Sequence, residues 1–332
     1  MRLADVAAAA DVSPALASRV LNGDLTARAT PETKQRIADA ARELGYVANA
    51  IARQLRNKTT GLIGLVVHDL TSPIYVDLMS GARAAAAEHG YFLLLGDADE
   101  LMSNPQTFRN LVAARRIDGI VIQAGHADFE SRIEEIARIL PTVVVNAPMD
   151  GRAGVVGVYP DEVLGSRMLT DHLLELGHRR IAFLSGPEDS QTSHLRLEGY
   201  AQALSCAQIA FDEELVRYGD WRADGGESGF RSVMDSAGDS RPTAVFAANT
   251  LIAAGALSAA AAMDISVPGD VAVAAIHDSW LADYLVPSLT TIELPLRQVG
   301  WQAVRILLAD SVVEGDVVVS SPAPALHRRN ST

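Results

Sequence analysis

The stretch that decides the fold of the N-terminal region is Asp11-Val12-Ser13-Pro14-Ala15-Leu16-Ala17-Ser18-Arg19-Val20-Leu21-Asn22-Gly23. Ser13 is a favourable helix N-cap, because its hydroxyl can accept a hydrogen bond from a free amide of the first turn. Pro14 suits the first helical position, where a missing amide proton removes no helical hydrogen bond. Apolar residues recur at helical spacing from Leu16 onward, and Asn22-Gly23 is typical of a helix end. The stretch therefore predicts a short helix with one apolar face.

Further helices are predicted on both sides of this one. Upstream, the segment Leu3–Ala10 has its apolar side chains on one face, and downstream Thr30-Pro31 starts a third helix that Gly45 ends. Two short helices joined by a tight turn form a helix-turn-helix, whose second helix reads the major groove of DNA. With Arg19 and Asn22 exposed on that second helix, the sequence predicts a DNA-binding head.

Length and composition exclude several classes of protein. The 332 residues are enough for about two to three domains, and no apolar run is as long as the ~18 residues that a membrane span requires. Asp5 and Asp11 interrupt any signal-peptide core. The single cysteine, Cys206, cannot form an intramolecular disulfide and has no metal-ligand spacing around it. We expect a cytoplasmic protein without cofactor or metal, with Cys206 as a small buried side chain.

Charge is distributed unevenly along the chain. The net charge of −13 at first argues against nucleic acid as a partner, yet residues 1–58 carry a balance of +3 and the remainder carries −16. A basic head on an acidic body is typical of a protein whose head meets phosphate. Residues 49–58 add a segment of helical pattern that is only about two turns long, so we expect it to order on binding. Leu55, between Arg53 and Arg56, has the composition of a minor-groove wedge, although it could instead pack on the adjacent domain.

Beyond residue 59, apolar runs of strand length alternate with helical segments. The predicted strands are Leu62–Val67, Tyr91–Leu95, Gly119–Ile122, Thr142–Val145, Ile181–Leu184, Ala244–Ala247 and Val271–Ile276. This alternation predicts an α/β fold with a doubly wound parallel sheet, and the two series of strands predict two similar lobes. Ligands of such sheets lie beyond the carboxyl ends of the strands.

The head resembles that of the lac-repressor (LacI/GalR) family of transcription regulators. The motifs that carry the resemblance are Leu3-Ala4-Asp5-Val6-Ala7, Val12-Ser13, Ser18-Arg19-Val20-Leu21-Asn22-Gly23, Leu44-Gly45-Tyr46 and Asn49-Ala50-Ile51-Ala52-Arg53-Gln54-Leu55. The resemblance implies that bases face Pro14, Ala15 and Arg19, and that Leu55 enters the minor groove at the operator centre. The DNA-binding candidates are Ser13, Pro14, Ala15, Ser18, Arg19, Asn22, Asn49, Arg53, Leu55 and Arg56. At Arg2 the chain departs from the family, which usually has a capping Thr or Ser there.

The body resembles the same family and, through it, the type I periplasmic sugar-binding fold. Matching pieces run from Asp69-Leu70-Thr71-Ser72-Pro73-Ile74-Tyr75 to the closing Arg329-Asn330-Ser331-Thr332. The resemblance implies a helix-turn-helix domain (1–47), a hinge helix or linker (48–59) and an effector-binding, dimerisation domain (60–332). Its N-lobe would comprise about 60–159 plus 293–316, and its C-lobe about 160–290 plus 317–332. It also implies a homodimer that reads a palindromic operator in double-stranded DNA.

An effector site is predicted where polar and aromatic side chains follow the strands. The candidates are Asp69, Ile74, Tyr75, Gln123, Asn146, Thr192, Arg196, Trp221, Asn249 and His277. An aromatic face with converging polar groups is typical of a site for a small polar ligand. The family resemblance implies that Arg196 contacts the ligand, that Trp221 stacks on it and that Tyr75 forms an apolar wall. Taken singly, Trp221 could belong to a core and Arg196 could be a solvated helix residue.

Two departures from the family fall in this site. The family commonly has Asp where this chain has Thr250 and again where it has His277. A carboxylate accepts two hydroxyl protons from a sugar diol, whereas a neutral imidazole accepts only one. Loss of the carboxylate beside Arg196 makes the pocket less negative, so we hypothesise an effector other than a standard neutral sugar, one that carries a carboxylate or phosphate. The alternative is that His277 hydrogen-bonds only within its loop.

The sequence thus predicts a transcription regulator, most simply a repressor controlled by a sugar or related metabolite. A periplasmic solute-binding protein shares the body architecture, but the basic head and the missing signal peptide argue against it. An α/β enzyme could use His277 with Asp278 or Asp69 as acid and base. The sequence has no Walker A, GxGxxG, HExxH or GxSxG motif to supply a cofactor loop, metal cage or nucleophile.

Overall fold

The computed structural model describes residues 2–21, 26–46, 59–98, 103–104, 106, 112, 116–124, 127–235, 241–309, 311 and 313–332, with the backbone alone for 127–131 and 153. The chain divides into two compact units, Met1–Gly61 and Leu62–Thr332. The units are described here as the head and the body.

Within its described residues, the head contains three helices, α1 (Leu3–Ala9), α2 (Pro14–Leu21) and α3 (Pro31–Glu43). Ser13 Oγ accepts from the Leu16 amide at 3.2 Å, and Thr30 Oγ1 accepts from the Thr33 amide at 3.3 Å, so both predicted N-caps form. The helices enclose a small core that is fully buried at Val6, Ala17 and Ile37, among others. The apolar faces read from the sequence are therefore the faces that pack.

In the described part of the body, the strands form two six-stranded sheets. The strands are β1 (Leu62–Val67), β2 (Phe92–Asp97), β3 (Gly119–Gln123), β4 (Thr142–Val145), β5 (Val156–Pro160), β6 (Ile181–Leu184), β7 (Val216–Arg217), β8 (Ala244–Ala247), β9 (Ala272–Ile276), β10 (Thr290–Glu293), β11 (Val317–Val319) and β12 (Ala325–His327). The first sheet has the order β11-β5-β4-β3-β1-β2 and the second has the order β12-β10-β9-β8-β6-β7. All pairings are parallel except β10 with β12.

Helices cover both faces of each sheet, as continuous apolar strands require. They are α4 (Tyr75–Glu88), α5 (Ala127–Ala137), α6 (Glu162–Glu175), α7 (Gln191–Cys206), α8 (Ala223–Met234), α9 (Thr250–Ala262), α10 (Trp280–Tyr284) and α11 (Leu296–Leu307). Helices α4 and α11 approach so closely that a Cβ added at Gly81 would lie 1.8 Å from the Arg297 carbonyl oxygen. No helix in the described ranges is long and apolar enough to cross a membrane.

The sequence-based strand assignment is incomplete in the body. It did not include the strands β5, β7, β10, β11 and β12, which are two to five residues long. Strand β11 pairs with β5 in the first sheet, so the segment 317–319 lies in the N-lobe and not in the C-lobe, where it was expected. Cys206, expected to be buried, is exposed at the last residue of α7.

Candidate functional site: a DNA-reading head and an effector cleft

Several of the predicted DNA-binding residues lie at the start of α2. Ser13, Pro14 and Ala15 are exposed, whereas Ser18 and Arg19 are half-buried. The Arg19 guanidinium donates from Nη2 to Thr26 Oγ1 at 2.8 Å, which orients it on the helix. The first turn of α1 keeps half of a capping box despite Arg2, because the Arg2 amide donates to Asp5 Oδ2 at 2.7 Å. The remaining candidates, Asn22, Asn49, Arg53, Leu55 and Arg56, lie outside the described residues.

A cleft in the body brings together side chains from both sheets. Nine of the ten predicted effector residues line one part of this cleft, which is open to solvent and encloses about 470 Å³ of space not filled by protein atoms; they are Ile74, Tyr75, Gln123, Asn146, Thr192, Arg196, Trp221, Asn249 and His277. Asp69 lines a neighbouring cavity that is also open to solvent, with about 670 Å³ of space not filled by protein atoms. The two cavities share walls at His68, Ile74, Tyr75 and Trp221, so they form inner and outer parts of one cleft.

Strand ends explain this convergence. Gln123 is the last residue of β3, Asn146 follows β4 and His277 follows β9. Asn146 and His277 have positive φ values of 62° and 71°, so the chain turns sharply at each of these strand ends. The two sheets meet across the cleft where Thr192 Oγ1 donates to the Asn146 carbonyl oxygen at 3.1 Å. The cleft is therefore built by the carboxyl edges of both sheets, as expected for this architecture.

One wall of the inner cavity is held by Tyr75 and Gln123. The Gln123 amide donates to the Tyr75 hydroxyl oxygen at 2.8 Å. Burial raises the pKa of Tyr75 to about 12, so its hydroxyl stays protonated at physiological pH. Because that oxygen accepts from Gln123, its proton is directed elsewhere. The wall thus offers a hydroxyl donor beside an apolar ring.

Arg196 is the centre of the polar network. Its Nε and Nη2 donate to the two carboxylate oxygens of Glu162 at 2.8 and 2.9 Å, a bidentate ion pair whose side chains are only 3% and 2% exposed. A second Nη2 proton is directed to His277 Nε2 at 2.7 Å, and Nη1 donates to the Ala248 carbonyl oxygen. Four of the five guanidinium protons therefore have acceptors within the protein.

Glu162 is a cavity residue that was not predicted from the sequence, as are His68, Ala124, Ser190 and Leu296. It is the first residue of α6, two positions after the end of β5, and β5 itself was not recognised as a strand. A carboxylate at a strand end was the available signal. The pairing of Glu162 with Arg196 compensates the guanidinium charge, so it does not favour the anionic effector expected from His277, and the charge of the effector stays a prediction.

His277 is a neutral side chain that interacts beyond its own loop. Burial, with the neighbouring Arg196 guanidinium, holds the pKa of His277 well below 6.5. Thr250 Oγ1 donates to the His277 carbonyl oxygen and so fixes the backbone of the turn. The two departures from the family pattern are thus coupled, since the residue at 250 positions the residue at 277.

Trp221 forms the aromatic part of the cleft. Its ring packs against the backbone of Gly186, where an added Cβ would lie 2.5 Å from ring atoms, and Arg196 Cζ lies 5.5 Å from the ring centroid. Asn249 donates from Nδ2 to the Trp221 carbonyl oxygen at 3.0 Å and caps α9 through Oδ1 at 2.8 Å. Asn249 therefore positions the site, and its direct contact with a ligand stays a prediction.

The outer cavity carries its own charges. Arg222 Nη2 lies 3.6 Å from Asp69 Oδ2, joining the loop after β1 to the residue that precedes α8. Asp220 lines the same cavity. With one arginine and two aspartates, this part of the cleft has a formal charge of −1.

The side chains of the alternative acid–base pairs, His277 with Asp278 or Asp69, are engaged with other residues, and Asp69 is paired with Arg222. Asp278 Oδ1 pairs with Arg329 at 2.8 Å and accepts from Thr291 at 2.6 Å, while His277 is bound to Arg196. Among the residues that the structure describes, Asp278, Glu293 and His327 group metal-ligand atoms within 4.8 Å of one another. Asp278 already forms an ion pair with Arg329, and His327 is already paired with Glu293 at 2.8 Å.

Comparison with known proteins agrees with this geometry. Residues 2–49 match the profile described as bacterial regulatory proteins, lacI family, and residues 170–332 match a periplasmic binding protein-like domain. The HTH-type transcriptional repressor CytR of Escherichia coli is 32% identical, with 92% of this chain and 88% of CytR covered. The HTH-type transcriptional regulator CelR of Thermobifida fusca is 33% identical, covering 91% and 89%.

Solved structures extend the likeness over the whole chain. A CelR–cellobiose complex superimposes with a TM-score of 0.73 at 30% identity, covering 100% of both chains. The lac repressor dimer bound to operator and the anti-inducer ONPF gives a TM-score of 0.82 at 26% identity, covering 100% and 99%. The helix-turn-helix head, the two-lobed body and these relatives together show that the chain belongs to the lacI family of bacterial regulatory proteins.

Proposed function

We propose that this protein is a homodimeric, operator-binding transcriptional repressor whose affinity for DNA is set by an uncharged small molecule in the cleft of the body. The observation that carries the proposal is the convergence of nine predicted side chains on one cavity, in a chain that also has a DNA-reading head. The domain boundaries and the DNA-contacting residues predicted from the sequence are part of this proposal. It makes the protein a cytoplasmic regulator and not an enzyme.

The charges of the cleft support an uncharged effector. The inner cavity contains one carboxylate and one guanidinium, Glu162 and Arg196, which neutralise each other. The outer cavity has a formal charge of −1. An anionic ligand would have to displace Glu162 or remain unpaired in a buried site, and both are costly. The relative CelR was solved with cellobiose, an uncharged sugar.

DNA binding is tested by selection of operators from a randomised duplex library with the full-length protein. We expect enrichment of a palindrome, because a twofold dimer presents two identical heads. Affinity, measured by fluorescence anisotropy, should fall by ~10³-fold or more between roughly 50 and 200 mM salt if about 6–10 phosphates are contacted. Failure to enrich any palindrome would contradict the proposal.

A matched pair of variants separates base reading from general attraction. Arg19→Gln removes a charge from α2, whereas Arg42→Gln removes the same charge from α3, where Arg42 pairs with Asp39 at 2.8 Å. Loss of a base contact costs about 1–3 kcal/mol, so Arg19→Gln should weaken operator binding about 5- to 150-fold and relax the selected sequence. Arg42→Gln should leave the selected sequence unchanged. Equal effects of the two variants would place α2 outside the reading surface.

A further inference from the structure

The contact between Arg196 and His277 fixes which ring nitrogen of the histidine carries the proton. Arg196 Nη2 lies 2.7 Å from His277 Nε2. A guanidinium has donors and no acceptor, so Nε2 must present its lone pair. In a neutral imidazole the proton then resides on Nδ1. His277 is consequently a hydrogen-bond donor at the one ring position that Arg196 leaves open.

This Nδ1 donor has no acceptor among the residues described here. The atom is buried without a hydrogen-bond partner, and the side chain, 5% exposed, lines the inner cavity. The nearest carboxylate of the network, Glu162, has both oxygens engaged by Arg196. An unsatisfied buried donor is unfavourable, so a bound molecule that supplies a lone pair here gains a hydrogen bond.

The backbone holds the donor in place. His277 has a φ of 71°, and the Thr250 hydroxyl donates to its carbonyl oxygen. With the ring tied to Arg196 and the backbone tied to Thr250, the imidazole cannot exchange its nitrogens by flipping without breaking the contact with Arg196. Burial and the Arg196 charge keep the pKa of the ring low, which preserves the single-proton state.

We propose, on the basis of the function proposed above, that His277 donates a hydrogen bond from Nδ1 to the effector, so that the cleft selects uncharged ligands with a proton-free acceptor such as a carbonyl oxygen. The family carboxylate at this position requires the opposite, a ligand atom that donates. A hydroxyl can satisfy either side chain, whereas a carbonyl oxygen can satisfy only the histidine.

The proton position is tested by NMR of the full-length protein with ¹⁵N-labelled histidine, with the His277→Asn variant identifying the resonances. We expect a protonated Nδ1 and an unprotonated Nε2 throughout the pH range 6–8. A proton on Nε2, or on both nitrogens, would overturn the inference. This readout needs neither DNA nor a known effector.

The ligand class is tested with three sets of matched compounds derived from glucose, galactose and ribose. Each set contains the aldose, its freshly prepared aldonolactone, in which a carbonyl oxygen replaces the anomeric hydroxyl, and the anionic aldonate. Binding to the full-length protein is measured by calorimetry and thermal shift. We expect at least one lactone to bind, and no aldonate to bind more tightly than its lactone. Absence of lactone binding, or preference for an aldonate, would overturn the proposal.

Two isosteric variants isolate the donor. His277→Asn can accept from Arg196 and still donate, whereas His277→Asp can only accept, and both residues tolerate a positive φ. Lactone affinity should fall about 10- to 100-fold more in His277→Asp than in His277→Asn, because a carbonyl would then face a carboxylate. Aldose affinity should differ by less than about threefold between the variants. Equal lactone affinities in the two variants would refute the donor role.

These outcomes are distinguishable from failure of the proposed function. If the protein selects no operator, or if a bound lactone leaves operator affinity unchanged, the regulatory role fails while the proton position and the variant ratio still stand. If an operator is released only by compounds that bind His277→Asp and His277→Asn equally, the regulatory role stands and the donor role fails.

Discussion

The buried ion pair between Glu162 and Arg196 allows the sharpest test of the site. Glu162→Gln keeps the shape of the side chain and removes its charge, leaving a guanidinium that is 3% exposed without its counter-ion. The amide also places a donor where Arg196 needs an acceptor. Removal of one partner from a buried pair costs about 3–5 kcal/mol. At roughly 2–4 °C per kcal/mol, as found for large domains, the melting temperature should fall by about 6–20 °C.

The assay is thermal and urea unfolding of the full-length protein, followed by circular dichroism. Glu227→Gln is the matched control, because Glu227 pairs with Arg231 at a similar 2.9 Å but with 44% and 42% of the two side chains exposed. A surface pair of this kind contributes about 0.3–0.5 kcal/mol. Glu162→Gln should also gain affinity for aldonates, since the Arg196 charge becomes available. Equal unfolding costs for the two variants, with no gain for aldonates, would refute the charge compensation on which the uncharged effector rests.

Other predictions address the aromatic wall, pH and the DNA-binding segment. Gly186→Ala places a Cβ 2.5 Å from the Trp221 ring. We therefore expect the free energy of unfolding to fall by about 1–3 kcal/mol and lactone binding to weaken. Unchanged binding in calorimetry would contradict a role of the Trp221 position in ligand binding. The pKa of His277 is lowered in the folded protein, so near pH 6.5 the unfolded chain binds a proton that the folded chain does not bind. The free energy of unfolding is therefore highest above pH 6.5. Below that pH it should decrease by up to ~1.4 kcal/mol per pH unit. In urea titrations at pH 5–7, His277→Asn should show a shallower dependence, and an identical slope would mean that His277 is protonated in the fold. Leu55→Ala should weaken specific operator binding, and unchanged affinity in anisotropy would exclude a wedge role for this leucine.

Much of the architecture could be predicted from the sequence because local signals and packing agree. The cap at Ser13 and the apolar spacing from Val6 to Ile37 define a head whose core is buried as expected. Long apolar runs such as Leu62–Val67 are strands because both faces are covered by helices. Where the run was short, as at Val317–Val319, pairing with a distant strand decided the structure, and the local pattern gave no indication of which sheet it joins.

Nine of the ten predicted effector residues lie around one cavity, but the electrostatics of that cavity could not be predicted. Residues such as Gln123 and Asn146 could be placed because they follow strands. The partner of Arg196 could not, since Glu162 is 34 positions away and meets it only through the packing of α6 against α7. Charge compensation is a property of contacts distant in sequence, so the residue type at one position, such as His277, does not determine the charge balance of the pocket.

The chain passes between the two sheets three times, after β5, after β10 and after β11. Glu162 lies at the first passage and Leu296, another residue of the cavity wall, lies at the second. If the lobes rotate, these passages are the pivot, and a contact beside a pivot moves little while the outer ends of the lobes move in proportion to their distance. A small displacement at the ligand would therefore correspond to a larger displacement at the outer ends of the lobes. Two ligands that differ by one atom near Glu162 can bind with similar strength and still hold the lobes at different angles, which makes binding strength and regulatory response separately adjustable.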